Sequence, residues 1–157
     1  MAVKNRGKQF EERFKEDWIR TVSKCIDRIY DTMNGHKSIS NVSDFIAYSY
    51  PHIFYLECKS TRENTFNFHK LTQYEKLTSK VGIRGVRTGV VIWFIGHDRV
   101  IYVPIATITK MKNDGLKSVN ITILNDSGYK FYDIPSIKLR VLMKSDYSIL
   151  MNTEEGE

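Results

Sequence analysis

The segment from residue 88 to residue 95 constrains the fold most, because it is the longest stretch of mainly apolar residues in the chain. A continuous apolar run of this length is typical of a buried strand. Gly96-His97-Asp98 follows as a turn, and Arg99 to Pro104 then has the character of a hairpin partner. We therefore predict two neighbouring strands here, the first of them buried.

Two segments have the periodicity or end signals of helices. Apolar residues recur at four-residue steps and predict an amphipathic helix from about residue 8 to residue 25; they are Phe10, Phe14, Trp18, Val22 and Ile26. Residues 26–30 could continue this helix or begin a strand, and Asn34-Gly35 predicts a turn. Residues 71–80 predict a second helix, with Thr72 and Glu75 spaced as a capping box and Gly82 placed to end it.

The remaining strands complete an α/β arrangement. Residues 39–48 and 53–59 read as strands that flank a turn at Pro51. The order helix, strands, helix, strands predicts a mixed β-sheet flanked by helices. Further along, residues 119–124 and 130–134 suggest a hairpin. We predict one domain over residues 1–150 and a disordered acidic tail over residues 151–157.

Composition narrows the class of partner. Lysine and arginine number 24 against 18 acidic residues, which gives a net charge of +6. This excess favours an anionic partner, with nucleic acid first. The apolar run that ends at Ile95 is too short to span a membrane, and no membrane partner is expected. Cys25 and Cys58 lie in apolar segments, which predicts reduced, buried thiols in a cytoplasmic protein. The four histidines lack zinc-ligand spacing.

A pair of carboxylates and a lysine suggests the chemistry. Twelve residues lie between Asp44 and Glu57-Cys58-Lys59, and the predicted hairpin returns Asp44 to the side of Glu57. Strand alternation puts Glu57 and Lys59 on one face and leaves the Cys58 backbone carbonyl for the same site. Carboxylates that bind Mg²⁺, together with a lysine, are the parts of a metal-dependent phosphodiesterase. The alternative is a surface hairpin with a solvated salt bridge.

Two more polar residues are candidates for this site. Glu11 lies at the edge of the buried stripe of the first helix, whereas Glu12 is turned about 100° away. Glu11 would then face the site, although a first-turn glutamate can also simply favour the helix dipole. Gln73 begins the second helix and could orient a water or bind a phosphate, or it could be solvated.

Two basic segments are candidates for phosphate contacts. Lys4, Arg6 and Lys8 precede or begin the first helix, and Arg84 and Arg87 lie in a loop interrupted by glycines. Exposed cations in such segments suit the tracking of phosphates. Each segment alone can also be an ordinary solvated surface.

Several of these motifs together resemble the RecU family of Holliday junction resolvases, most closely its shorter, phage-type members, over about residues 4–105. They are Asn5-Arg6-Gly7-Lys8-x-Phe10-Glu11, Ser43-Asp44-Phe45, Leu56-Glu57-Cys58-Lys59-Ser60-Thr61, Phe66-Asn67-Phe68 and Thr72-Gln73. The family belongs to the PD-(D/E)xK nuclease superfamily. The resemblance implies a restriction-endonuclease-like αβββαβ core, a homodimer, Mg²⁺ dependence and paired nicking of four-way DNA junctions.

The same resemblance implies roles for individual residues. Asp44 and Glu57, with the Cys58 carbonyl, would hold Mg²⁺, for which Mn²⁺ would substitute; Glu11 would contribute from the helix. Lys59 would contact the attacking water or the phosphate, and Gln73 would match the helix glutamine of the family. Asn5, Arg6 and Gly7, with Lys8, would contact DNA. No organic cofactor is implied.

Two departures from the family pattern matter. Ser43 stands where the superfamily name has proline, a position that supplies no ligand. Only about thirty residues separate the first helix from Glu57, so the stalk that cellular members insert into the junction is reduced. Together with the residue patterns, the resemblance implies a junction-resolving endonuclease for recombination and repair. The alternatives are a repair or restriction-like nuclease on other branched or linear DNA, and a non-catalytic DNA-binding protein on the same fold.

Overall fold

The computed structural model describes residues 5–30 and 41–153, and within them the chain forms three α-helices and ten β-strands. Their bounds are α1 Arg6–Thr21, β1 Ile26–Arg28, β2 Phe45–Ser49, β3 His52–Thr61, β4 Thr65–Asn67, α2 Tyr74–Thr78, β5 Val86–Phe94, β6 Arg99–Pro104, α3 Ile105–Asn113, β7 Ser118–Asn120, β8 Tyr132–Asp133, β9 Ser136–Lys138 and β10 Met143–Ser145.

Six of the strands form one mixed sheet in the order β1-β2-β3-β5-β6-β8. Only β3 and β5 within it run parallel, with Ile53 opposite Val86 and Glu57 opposite Val90. The other neighbours are antiparallel. The predicted mixed sheet is confirmed, and so is the hairpin that turns at Pro51, since β2 pairs with β3 from Phe45↔Leu56 onward.

Helices cover the two faces of this sheet. The aromatic residues of α1 pack on one face against alternate residues of β3 and β5: Phe10, Phe14 and Trp18 with Phe54, Leu56, Cys58, Val91 and Trp93. The intervening residues of β5 face α2 and α3: Val90, Ile92 and Phe94 with Leu77, Ile105, Ile108 and Met111. Because both faces are covered, β5 is buried from Thr88 to Phe94, as its apolar run predicts.

One glycine in β5 is required by packing. A Cβ at Gly89 would come within 2.1 Å of the ring of Tyr102 on β6. The tyrosine ring therefore occupies the space over the backbone of β5, on the α1 side of the sheet.

The first helix ends earlier than predicted. It stops at Thr21, and Ile26 begins β1, so residues 26–28 are a strand and not a continuation of the helix. Cys25 consequently lies in the connection, where it is exposed, and the prediction that it is buried is wrong. Cys58 is buried as predicted.

The second helix is also shorter than the predicted span of residues 71–80. A 3-10 turn occupies residues 68–70, and α2 covers five residues with Gln73 as its N-cap. The capping box is wrong, because the Thr72 hydroxyl donates instead to Gln73 Oε1 at 2.8 Å.

The region after β6 departs most from expectation. Residues 105–113 form α3, which the sequence did not indicate because isoleucine and threonine at those positions favour strands. The predicted hairpin between residues 119–124 and 130–134 is wrong: β7 pairs with β4, and β8 pairs with β6.

The end of the chain is tied to α1 by a buried carboxylate. Asp17 forms ion pairs with Arg13 at 3.0 Å and Arg20 at 3.1 Å, and it accepts the Ser145 amide at 2.9 Å. A 3-10 helix follows over residues 147–152, and Thr153 is buried. Residues 151–153 are therefore structured, contrary to the predicted tail over residues 151–157.

Some predictions fall outside the described residues. They concern Lys4, the turn at Asn34-Gly35, the first two residues of the predicted strand at 39–48, and residues 154–157. Within residues 5–30 and 41–153, no helix combines the length and the apolar character needed to cross a membrane.

Candidate active site

The candidate site lies where the pairing of β2 with β3 ends. Beyond the last backbone pair, Phe45↔Leu56, the two segments are joined by hydrogen bonds from backbone amides to side-chain carboxylates. The Asp44 amide donates to Glu57 Oε2 at 3.0 Å, and the Cys58 amide donates to Asp44 Oδ2 at 2.9 Å. These reciprocal bonds fix the two carboxylates against each other, as the predicted hairpin required.

Ser43 shapes the entry into β2. Its buried hydroxyl donates to the Phe45 carbonyl at 2.8 Å, a short local bond that stabilises the bend before the strand. Ser43 therefore positions Asp44 through the backbone, and its side chain has no bond to either carboxylate.

Glu57 is the most deeply buried acid of the site. Its exposed fraction is 0%, and Lys59 Nζ on the same face lies 3.2 Å from Oε1. The contact is an ion pair without hydrogen-bond alignment, so within the described residues Oε1 has no hydrogen-bond partner. Burial, together with the neighbouring Asp44 charge, raises the pKa of Glu57 to about 7. The site thus contains a carboxylate that holds a proton near neutral pH unless more positive charge arrives.

Glu11 reaches this edge of the sheet from α1. Burial and the Asp44 charge raise its pKa, although the ion pair with Arg28 opposes them. Glu12 is exposed, so the predicted helical phase is confirmed.

Arg28 is the residue that sequence reasoning missed. It lies on β1, where its guanidinium pairs with Glu11 and stacks 5.3 Å from the ring centre of Phe45. The Glu11–Arg28 pair joins residues seventeen apart, and no local pattern marks such a contact. Strand alternation from the buried Ile26 is the one signal that could have placed Arg28 on the inner face.

The backbone of Cys58 supplies an oxygen to the site. Its amide points toward Asp44, and the amide and carbonyl of one strand residue point to the same side. The carbonyl therefore also points toward Asp44, past the end of the β2 ladder. The thiol lies on the opposite face in the α1 core, where burial raises its pKa well above the usual value.

Gln73 is not joined to the carboxylates. Its side-chain oxygen accepts from Thr72, and among the described residues no hydrogen bond links it to Asp44, Glu57 or Lys59. Its role remains a prediction.

The residues predicted to bind DNA separate into two groups. Asn5, Gly7 and Lys8 line a cleft of about 480 Å³ that also contains Glu11 and Arg28. A Cβ at Gly7 would lie 3.9 Å from Ser60 Oγ, which places the start of α1 beside the end of β3.

Arg6, the remaining cation at the start of α1, donates to Gln9 at 2.8 Å. Arg84 and Arg87 lie elsewhere, in a second cleft where β5 begins. The predicted DNA contacts therefore lie at opposite ends of β3.

No group of three or more histidine, cysteine, aspartate or glutamate side chains within residues 5–30 and 41–153 is arranged to hold a metal ion. The arrangement offers instead two carboxylates and one backbone carbonyl, with Glu11 turned to Arg28. Any cation here would complete its coordination with water or substrate oxygens.

The chain combines a mixed sheet, helices on both faces and acids at the end of a central strand. This arrangement is that of the restriction-endonuclease-like fold. The chain resembles the solved structure of Archaeoglobus fulgidus Hjc, a Holliday junction resolvase from an archaeal hyperthermophile. The TM-score is 0.54 at 15% identity, and the match covers 76% of this chain and 92% of that one. The predicted fold class is confirmed.

No protein-family model matches the chain, and no curated protein does. Membership of the RecU family therefore stays a prediction.

Proposed function

We propose that this chain is a Mg²⁺-dependent endonuclease that resolves four-way DNA junctions as a homodimer. The observation that carries the proposal is the end of β3, where the buried Glu57 carboxylate lies beside Asp44 and 3.2 Å from Lys59 Nζ. A buried acid with an incompletely bonded oxygen is costly for a structural ion pair. The same buried acid would be stabilised if a metal cation and a substrate phosphate completed the site.

The donor set suits a hard cation. Mg²⁺ is commonly held by one or two carboxylates together with waters and substrate phosphates, so the absence of a third acid is no obstacle. Glu57 Oε1, buried and without a hydrogen-bond partner among the described residues, is an atom that a cation would satisfy. Asp44 and the Cys58 carbonyl would complete the protein ligands, and Mn²⁺ would substitute. Glu11 would become a further ligand only if its ion pair with Arg28 were broken.

The residues then divide the chemistry of phosphodiester hydrolysis. A bound cation would withdraw charge from the phosphate and lower the pKa of the attacking water. Lys59 holds its ammonium on the face of Glu57, where it would stabilise the charge that develops on the phosphate oxygens. The Cys58 amide keeps Asp44 oriented before substrate binds. Gln73 would donate its amide nitrogen to the water or to a phosphate.

Branched DNA is the proposed substrate for two reasons. The motifs resemble those of junction resolvases, and the fold resembles that of one solved resolvase. The net charge of +6 suits a polyanion.

A substrate panel tests the proposal. The protein is incubated with labelled four-way junction, Y-fork and linear duplex, with and without Mg²⁺, beside Asp44→Asn as the inactive control. Paired cuts confined to the junction and dependent on Mg²⁺ would support it. Equal cutting of linear duplex would favour a general nuclease, and binding without cutting would favour a non-catalytic DNA-binding protein.

The homodimer is part of the proposal because one such site cuts one strand. Two sites related by a twofold axis match the two strands of like polarity in a junction. Apolar residues near 129–147 and those of the first helix are the candidates for the interface. The apolar residues of α1 are occupied in the core, but Ile137, Leu139 and Val141 are exposed on the hairpin of β9 and β10. We place the interface on this hairpin.

Replacing one of these residues tests the interface. Ile137, 68% exposed, is changed to lysine, and Ile123→Lys is the matched control at a residue that is 61% exposed elsewhere. Light scattering at micromolar concentration should show a dimer for the wild type and for Ile123→Lys, and a monomer for Ile137→Lys. On a cruciform plasmid the monomer should leave nicked circles in place of linear product. A wild type that is monomeric at this concentration would remove the dimer from the proposal.

A further inference from the structure

A second cleft lies at the end of the sheet where β3 and β5 begin. Its volume is about 450 Å³, and its wall is formed by the loop at residues 81–85, the first residues of β5, the start of α3 and Lys130. Glu57 lies four positions along β3 from Ile53, which is at this end of the strand. At about 3.3 Å per residue, the cleft lies roughly 13 Å from the candidate active site.

The charge of this cleft is entirely positive. Arg84, Arg87 and Lys130 line it, together with His52, and no carboxylate does so among the described residues. A concave surface lined by one sign of charge concentrates ions of the other sign. The cleft therefore suits an anion.

Arg87 is held ready for such an anion. Its Nη2 lies 3.1 Å from His52 Nε2, and the ring nitrogen accepts this bond only when it carries no proton. Burial and the Arg87 charge lower the pKa of His52, which favours that state. The other terminal nitrogen, Nη1, is buried without a hydrogen-bond partner in the part of the chain that the structure describes. A phosphate in the cleft would bond Nη1 only if the guanidinium turned toward it, and that bond would remove the cost of leaving a buried donor without a partner.

The cleft is larger than one phosphate needs, and part of its wall is apolar. Val81 and Ile83 are exposed on the loop, and Pro104 lies opposite them at the end of β6. Gly85 adopts φ +79°, and a Cβ there would approach the Pro51 carbonyl at 3.3 Å. Gly85 is therefore required by the path of this loop, and the cleft volume of about 450 Å³ leaves room beside the cations for a sugar and a base.

We propose that this cleft is a nucleotide subsite, in which Arg87, Arg84 and Lys130 hold a phosphate and the apolar wall holds the attached nucleoside. His52 acts as a positioning residue for Arg87. If the nucleotide belongs to a DNA strand, this proposal rests on the proposed function. A free nucleotide offers the same phosphate, sugar and base, and it would bind whether or not the protein cuts DNA.

The test measures binding in EDTA, so that cleavage plays no part. In one arm, deoxyadenosine monophosphate and deoxyadenosine are titrated into ¹⁵N-labelled full-length protein, and the amide shifts of Gly82 and Gly85 are followed. In the other arm, affinity for linear duplex DNA is measured against salt concentration. Arg87→Gln and Arg84→Gln are compared with Lys24→Gln, which removes an equal charge from an exposed residue between α1 and β1, outside both clefts.

We expect the monophosphate to give saturable shifts and deoxyadenosine to give much weaker ones. Both arginine variants should weaken monophosphate binding several-fold and lower the slope of log affinity against log salt by about 0.9, and Lys24→Gln should change neither. A changed slope without monophosphate binding identifies the DNA backbone as the source of the phosphate. Monophosphate binding with an unchanged slope identifies a free nucleotide.

The proposal is overturned if neither measurement responds to either arginine variant. Arg84 is exposed, so Arg84→Gln decides the matter if thermal melting shows that Arg87→Gln is misfolded. Failure here leaves junction cleavage untouched, because the two are measured on different substrates and under different conditions.

Discussion

The two ends of β3 differ in the sign of their charge and in how that charge is neutralised. At the carboxyl end, Glu57 is buried, and its carboxylate accepts the Asp44 amide and pairs with Lys59. At the amino end, His52 and Arg87 face an open cleft without any acid in its lining among the described residues. At the carboxyl end the charges are neutralised by neighbouring groups of the protein, whereas at the amino end the positive charges remain available to an anionic partner.

This difference indicates where each step of the proposed reaction on DNA can occur. Buried acids repel a phosphate until a cation joins them, so the carboxyl end suits chemistry that is conditional on that cation. Open cations attract phosphates unconditionally, so the amino end suits anchoring. Catalysis and binding should therefore be separable by mutation.

The largest effect should follow from removing a carboxylate. Asp44→Asn and Glu57→Gln should each reduce junction cleavage by at least about 100-fold, the size seen when one key electrostatic contact is lost. Binding in EDTA should be unchanged or slightly tighter, because a negative charge near the phosphates has been removed. Single-turnover cleavage and anisotropy on the same junction measure the two quantities. Cleavage near the wild-type rate in either variant would contradict the site assignment.

The buried state of Glu57 predicts a pH-dependent stability in metal-free buffer. The folded protein retains the Glu57 proton up to about pH 7, whereas the unfolded chain releases it near its ordinary value of 4.5. The stability due to the protonated form is therefore fully present below pH 4.5 and is lost as pH rises through 7. The loss should amount to about 3–4 kcal/mol, since the two pKa values lie about 2.5 units apart and each unit corresponds to about 1.4 kcal/mol.

Chemical denaturation between pH 4.5 and 8 checks this sign. The free energy of unfolding of Glu57→Gln should not show this loss. The stability of the variant relative to the wild type should therefore increase as pH rises. Glu63→Gln changes an exposed glutamate shortly after β3, and its profile should run parallel to that of the wild type. Parallel profiles for all three proteins would mean that Glu57 is ionised at low pH despite its burial.

The sequence was informative where a contact is local or periodic. The hairpin rule brought Asp44 to Glu57, and helical phase separated Glu11 from Glu12. Contacts between distant residues were not predictable in this way: Arg28 meets Glu11 across seventeen residues, and Asp17 meets the Ser145 amide across 128. No periodicity encodes such pairs.

Helix and strand bounds failed for a different reason. The β-branched residues of α3 favour strand locally, but Ile105, Ile108 and Met111 bury one face of a helix against the sheet. Tertiary packing overrides local preference there. The grouping of Arg84 with Lys8 as DNA contacts likewise relied on composition, which carries no information on where each cation lies in the fold.

Glu11 should matter less than the two carboxylates on the strands. Glu11→Gln should lower cleavage about tenfold, because its ion pair with Arg28 must be exchanged before it can act at the site. Glu12→Gln, one residue further round the same helix and exposed, is the matched control and should leave the rate unchanged. Rate constants at saturating Mg²⁺ and DNA separate the two. A larger defect in Glu12→Gln would show that the helix presents its other face to DNA.

The smallest effect is expected at the start of α1. Lys8 is exposed in the cleft beside Glu11, and Lys8→Gln should lower the slope of log affinity against log salt by about 0.9, with cleavage at saturation unchanged. Lys15 lines the same cleft two turns further along α1, so Lys15→Gln shows how far along the helix the DNA runs.

If Lys8→Gln and Arg84→Gln each reduce the slope and the double variant reduces it by the sum, the two ends of β3 hold separate phosphates at the same time. A double variant no weaker than either single change would mean that only one end is occupied in any complex, and anchoring at the amino end would then compete with catalysis at the carboxyl end.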